Sequence, residues 1–399
     1  MDARTRNTTS PEEEAAILDT IERWLEKDVR PHVERLEHGD IYPHAMVEQM
    51  KEFGLFGATI SPDHGGLGLS ASTYTKIVTL ISETWMSLTG IFNSHLMMAT
   101  VVEKFGTDFQ KQYWLPKFCA GEIRGGLGLT EPDAGTDLQA IRTRAVRTDR
   151  GTYVVNGTKT WISNGIEGGA VALLVKTDPD AQPRHRGMTM LIAPKIDPET
   201  GKAHPGFSVG KKLEKMGYKG IDSAELVFED YELDAERHLV GGVEGKGFHM
   251  AVGGLELGRI NIAARAVGIA RRALKESVAY AQTRKTFGKP IGEHQAIQLK
   301  LGEMGTKVRA AELLVQDAAA AYDRGERCDM EAGMAKYFAS ETGVEVTLEA
   351  MRIFGGYGYS KEYPIERLYR DAPLMCIGEG TNEMQRIIIA KQLIARNPV

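Results

Sequence analysis

The order of the secondary-structure signals constrains this chain most: helical patterns over residues 1–124, short β signals over 125–241, and helical patterns again over 242–399. A sheet held between two helical zones must bury its faces on itself or against helices from both sides, which few architectures allow. The expected fold class is α+β multidomain, with an N-terminal helical domain (1–124), a middle β barrel or sandwich domain (125–241) and a C-terminal helical domain (242–399).

Local signals support each zone. Ser10, Pro11 and Glu13 form an N-cap, a first-turn proline and a capping-box glutamate, and Ile17, Ile21 and Trp24 follow at helical spacing. The long apolar stretch Tyr74 to Phe105 predicts two buried helices broken near Gly90. In the middle zone, Asn156-Gly157 between Tyr153–Val155 and Thr158–Ile162 predicts a hairpin. Val171–Val175, Met188–Ile192 and Ala224–Phe228 predict further strands. Ala263, Val267, Ala270, Leu274, Val278 and Ala281 repeat at three- and four-residue steps, and Leu299–Tyr322 and Met334–Met351 behave alike.

Composition enters by exclusion. The net charge of −5 gives a nucleic-acid partner no electrostatic support. Three distant cysteines, Cys119, Cys328 and Cys376, suit neither a disulfide framework nor a clustered metal site, and His95, His249 and His294 are isolated, so no metal is expected. The N-terminus has no apolar signal region, and no apolar run approaches the ~20 residues that span a bilayer, so a cytoplasmic protein without membrane insertion is expected.

Four segments carry chemistry. GLGLTEPDAGTD (Gly126–Asp137) concentrates hydroxyls and turn amides, which suits either a tight loop or a bound ring or phosphate. In KTWISNG (Lys159–Gly165), Trp161 taken alone reads as a core tryptophan, and with the Ser163 hydroxyl two residues on it also suits a shield for a flat heteroaromatic. TRKTFGKPIGEHQ (Thr283–Gln295) gathers Arg284, Lys285 and Lys289 around Phe287, as a solvated patch or a phosphate grip. The segment Arg352–Arg386 places glycines at 355, 356 and 358 and sets Glu379 between Gly378 and Gly380, just before a helix starting near Asn382. Glu379 there fits a helix-dipole partner, or a base whose pKa an apolar cavity raises. There is no dinucleotide fingerprint in a βαβ unit, P-loop, HExxH pattern or nucleophile elbow.

Together, over about residues 12 to 395, these segments resemble the acyl-CoA dehydrogenase family in order and spacing. The resemblance implies a C-terminal four-helix bundle, a homotetramer built as a dimer of dimers, and one FAD per subunit. It implies that the stretch from Leu127 through Leu129, Thr130 and Gly135 to Thr136 wraps the flavin, with Thr136 also facing CoA. Trp161, Ile162 and Ser163 would cover the flavin, with Ser163 bonding near N5. Arg284, Phe287 and Gln295 would reach a neighbour's FAD with Arg352, Gly355 and Gly356, while Thr381 and Glu383 would close the site. Glu256, Arg259, Phe92 and Gly380 would face the acyl-CoA, with Ile91, Ser94, His95, Leu96 and Leu255 also about the acyl pocket, which hints at a short to medium chain.

The same resemblance makes Glu379 the base that takes the α-proton while the β-hydride passes to the flavin. The thioester oxygen would be held by a ribityl hydroxyl and the Glu379 amide. The product would be the trans-2-enoyl-CoA, with electrons passed to an electron-transfer flavoprotein. Arg352 stands where the family usually has glutamine. Gly258 occupies the alternative base position some members use, which leaves the role to Glu379. An acyl-CoA oxidase, a flavin monooxygenase of this fold and a catalytically silent subunit are the competing readings. No arginine lies within Trp85–Gly90, which disfavours a dicarboxylyl substrate.

Overall fold

The computed structural model describes residues 9–253 and 255–398; the Leu255 side chain, expected above near the acyl pocket, lies outside the described residues, as do residues 1–8 of the N-terminal segment. The first helical zone contains α1 (Pro11–Trp24), α2 (Val33–His38), α3 (His44–Glu52), α4 (Ala71–Phe105) and α5 (Asp108–Cys119). The capping box forms as expected: Ser10 Oγ accepts from the Glu13 amide at 3.2 Å, and the Glu13 carboxylate accepts from the Ser10 amide at 2.9 Å.

The break in α4 falls at Trp85 (φ −157°, ψ 101°) instead of near Gly90. Gly90 continues the helix, and its missing side chain has a packing role: a Cβ there would sit 1.7 Å from the Tyr218 hydroxyl. The sequence flagged the glycine correctly but for the wrong reason.

Next come β1 (Gly125–Gly128), β2 (Arg144–Arg147), β3 (Thr152–Ser163), β4 (Ala170–Lys176), β5 (Met188–Pro194), β6 (Phe207–Lys212) and β7 (Ser223–Asp234). They form one mixed sheet. β1 (parallel) and β2 follow each other along one side of β4, β5 lies on its other side, and β3, β7 and β6 continue beyond β2. It is thus a single curled sheet rather than two stacked layers. The expected Asn156-Gly157 hairpin does not exist. β3 runs straight through it against β7 with a bulge between Val155 and Gly157. Asn156 exchanges hydrogen bonds with Asp230 (2.9 and 3.2 Å), and a Gly157 Cβ would lie 2.5 Å from Thr143 Oγ1. Here the glycine serves a bulge and a close strand contact, the other use of the same residue pair.

Strand alternation divides the interior. Val171, Leu173 and Val175 of β4 join a small core with Tyr153, Val155, Phe228 and Tyr231, while Ala170, Ala172 and Leu174 face the large core shared with the helices. The sheet is thereby fastened to the helical zones through the β4–β5 face.

The middle zone ends with the short α6 (Ala235–His238), and the last zone holds α7 (Gly247–Val252), α8 (Leu255–Thr283), the ribbon β8 (Lys285–Thr286) and β9 (Lys289–Pro290), α9 (Gln295–Asp323), α10 (Asp329–Phe354), α11 (Ile365–Ile377) and α12 (Asn382–Arg396). Alanines at 263, 266, 270, 273, 335, 339 and 350 are all buried to within 1 % exposure, which lets α8 and α10 pack closely.

Candidate active site

Among the described residues, only seven non-glycine residues have positive φ, and three of them are Trp161 (φ 61°), Phe287 (φ 50°) and Glu379 (φ 54°). Bulky side chains rarely occupy this region, and where they persist the surroundings hold them there, commonly at functional sites. Each lies in a different motif singled out by sequence.

The first two motifs meet where the segment after β1 runs beside the end of β3. The Thr160 amide donates to Thr130 O at 2.9 Å, and Lys159 Nζ donates to Leu129 O at 3.0 Å. Ile162 is buried in the sheet core. A register shift between Lys159 and Ile162 turns Trp161 outward, 59 % exposed. Leu127, Leu129, Thr130 and Ser163 are half-buried around it, and Gly135 and Thr136 are exposed. The result is an indole standing beside a shelf of hydroxyls and loop backbone.

A buried ion pair that sequence reading missed supports this shelf. Lys159 Nζ lies 2.8 Å from Glu131 Oε1, with the lysine side chain fully buried. Glu131 also accepts from the Arg142 and Thr143 amides at 2.6 and 2.9 Å. Burial opposes its ionisation, but Lys159 and these donors outweigh burial, and its pKa is lowered; burial pushes Lys159 down to about 8. The available signal was a lysine and a glutamate, each inside a motif, on neighbouring segments.

Glu379 sits in the break between α11 and α12. Its Oε2 is 3.1 Å from where a Gly258 Cβ would stand, beside Met97. Burial raises its pKa above 4.5, opposed by the charges of Arg265, Arg259 and Lys336 in that order. No described residue accepts a hydrogen bond from its amide. A carboxylate with raised pKa beside a free N–H is equipped to take a proton next to a carbonyl whose oxygen the N–H receives. Arg259, 9 % exposed and with an unpartnered Nε, belongs to this wall, and Glu256 lies one turn earlier on α8. Gly380 is exposed beside the base, whereas Phe92 is fully buried edge-on to Tyr74.

The third motif and the glycines after α10 form a separate cleft of about 500 Å³ lined by Arg284, Thr286, Gly355, Gly356 and Tyr357. A Cβ at Gly355 or Gly356 would meet nothing within 4 Å, so the floor is open backbone. Phe287, at the tip of the β8–β9 ribbon, is 97 % exposed. Gln295 is exposed at the start of α9. Arg352 is half-exposed and paired with Glu349. Thr381 caps α12, and Glu383 pairs with Arg386 at 3.0 Å. No hydrogen bond among the described residues joins this cleft to the Trp161 shelf.

The family models for the acyl-CoA dehydrogenase N-terminal, middle and C-terminal domains match residues 11–122, 126–231 and 245–394. The chain belongs to the acyl-CoA dehydrogenase family. It is 39 % identical to an acyl-CoA dehydrogenase of Bacillus subtilis over 96 % of this chain and 98 % of that one. Butyryl-CoA dehydrogenase of Megasphaera elsdenii superposes with a TM-score of 0.90 at 36 % identity, covering 96 % of this chain and 98 % of that chain. A chain of the structure described as the electron transferring flavoprotein of Acidaminococcus fermentans also superposes at TM-score 0.90, with 37 % identity and the same coverage. The three-domain fold expected from the order of helical and β signals is therefore the fold observed, and the protein is an oxidoreductase of the class that acts on the CH–CH bond of acyl-CoA. Members of this family are flavoproteins. The outward indole with its hydroxyl shelf, and the open glycine cleft beside Arg284, fit the ring and the phosphate-bearing half of such a cofactor.

Proposed function

We propose that this enzyme is an FAD-dependent dehydrogenase that introduces a trans-α,β double bond into a short-chain acyl-CoA, with Glu379 as the base. The observation that carries the reading is the half-buried Glu379, its carboxyl set against Gly258 and its pKa raised by desolvation. FAD would rest on Leu127–Thr136 and Trp161–Ser163, and when bound it would supply the hydride acceptor. Glu379 accepts the α-proton, its amide receives the developing negative charge on the thioester oxygen, and the β-hydride leaves with its electron pair as the double bond forms. Arg259 and Glu256 lie toward the CoA side.

The helices facing each other beyond the base favour a short chain. Past Gly258, the same face of α8 continues through Asn261 to Arg265, at i+3 and i+7. Tyr74 OH donates to Asn93 Oδ1 and accepts from Asn261 Nδ2, both at 3.0 Å. Arg265 donates to Tyr218 OH at 3.2 Å and Thr89 O at 3.3 Å. Asn261, Asn93 and Arg265 are 0 %, 3 % and 3 % exposed, so this polar wall is closed to solvent. A long alkyl chain entering it would strip its hydrogen bonds without replacing them.

The exposed Phe287 and the detached Arg284 cleft support a dimer in which each subunit completes its neighbour's FAD site, within a homotetramer. The exposed Trp161 supports docking of an electron-transfer flavoprotein beside the indole. Anaerobic titration with acyl-CoAs of increasing length tests the whole reading. Butyryl-CoA is expected to bleach the flavin bands, and long-chain thioesters to leave them. Failure of every thioester removes the dehydrogenase reading; best reduction by a long chain removes only the polar wall.

The pH dependence has a definite sign. Glu379 works ionised and its pKa is raised. The limiting rate of flavin reduction is therefore expected to rise with pH through a midpoint above 4.5, the ordinary carboxylate value. A rate independent of pH across the acid range would show that another group limits the step.

A further inference from the structure

We infer that Lys336 is a positioning residue for the Glu379 base, tying together the two ends of the loop that carries it. The inference rests on the reading of Glu379 as the base. α11 ends at Ile377 and α12 begins at Asn382. Lys336, fully buried on α10, donates from Nζ to Cys376 O at 3.1 Å and to Asn382 Oδ1 at 2.8 Å. One ammonium thus binds the last turn of α11, before the loop, and the first residue of α12, after it.

The surroundings extend this connection. Ser340, one helical turn beyond Lys336 and on the same face of α10, exchanges hydrogen bonds with the Asn382 side chain at 3.0 and 3.1 Å. Asn382 Nδ2 also donates to Glu341 Oε1 at 2.6 Å. Within the loop itself, Gln385 Nε2 donates to Glu379 O at 3.3 Å and Gly380 O at 3.0 Å.

The loop needs external support. Glu379 holds a left-handed conformation between two glycines, Gly378 and Gly380, which give the backbone freedom to leave it. A fully buried lysine without a direct carboxylate partner is costly, and burial pushes its pKa down to about 8, opposed by Cys376, Glu379, Glu341 and Glu383. Packing alone would be met by an apolar side chain. What the ammonium adds through its two hydrogen bonds is to fix the span that the loop of the base must bridge.

The test uses the flavin-loaded enzyme and the variants Lys336→Met, which keeps volume and removes the donors, and Asn382→Ala. In Lys336→Met, hydrogen–deuterium exchange is expected to accelerate in residues 377–382, with the bodies of α10 and α12 unchanged. Flavin content and the affinity for acetyl-CoA, which has no β-carbon to oxidise, are expected to hold. The limiting rate of flavin reduction is expected to fall about 10²-fold, the scale of a small misplacement of a reacting group. Asn382→Ala should act in the same direction, and the double variant no more than Lys336→Met alone, because both act through one connection. Exchange in the loop at the wild-type rate overturns the inference, as does a uniform loss of flavin, affinity and rate, which would mark a merely structural lysine. Should Lys336→Met fail to fold, Asn382→Ala carries the same readouts. The exchange measurement needs no turnover, so it stands apart from failure of the dehydrogenase reading, which shows as a wild-type flavin that no thioester bleaches.

Discussion

Replacing Glu379 by glutamine is expected to leave a yellow, folded enzyme whose flavin is reduced by acyl-CoA on the order of 10³-fold more slowly, within the range general bases contribute. The amide matches the carboxylate in shape and cannot accept the α-proton. The rest of the wall stays in place, since Met97, Arg259 and Arg265 are held by their own helices. Anaerobic rapid mixing, following the flavin bands, measures the rate. Reduction within a factor of ten of wild type would remove Glu379 from its role. The geometry also supplies a complement. A Gly258 Cβ would point at Glu379 Oε2 from 3.1 Å. Gly258→Glu combined with Glu379→Gly should therefore recover part of the rate.

Glu131→Ala is expected to be the more damaging change to the fold. It leaves the Lys159 ammonium, fully buried, with only Leu129 O as an acceptor at 3.0 Å. Breaking a buried pair from one side costs about 3–5 kcal/mol. It also frees the Arg142 and Thr143 amides that Glu131 accepts from. The Leu127–Thr136 shelf should loosen, and the purified variant should retain less flavin and melt at a lower temperature. Lys159→Met should cost less, because Glu131 keeps its two backbone donors. The two melting curves decide it: wild-type stability in both variants would mean that the pair adds nothing beyond packing.

Much of the candidate site was legible because its residues belong to short contiguous motifs. Trp161, Phe287 and Glu379 were singled out from sequence, and each proved to hold a left-handed backbone. The capping box at Ser10, the strands around Val171, Met188 and Ala224, and the long helices of the last zone were legible for a related reason: each is set by interactions within a few residues along the chain.

The errors came from glycines, whose meaning depends on distant neighbours. Gly90 read as a helix break because nothing local reveals that Tyr218 packs onto it, and the true break at Trp85 has no sequence punctuation. Asn156-Gly157 read as a turn because the pair suits a hairpin and a bulge equally, and only the approach of Thr143 and Asp230 chose the bulge. The supporting residues stayed hidden for the same reason. Lys336 lies more than 40 positions from the loop it ties, and Lys159 lies 28 from Glu131. Sequence by itself thus determined which segments make up the candidate site and the order of the domains, because motif and periodicity are local properties. Only the tertiary structure decided how Glu379 is aimed and what raises its pKa, because burial and charge pairing arise from residues brought together by folding.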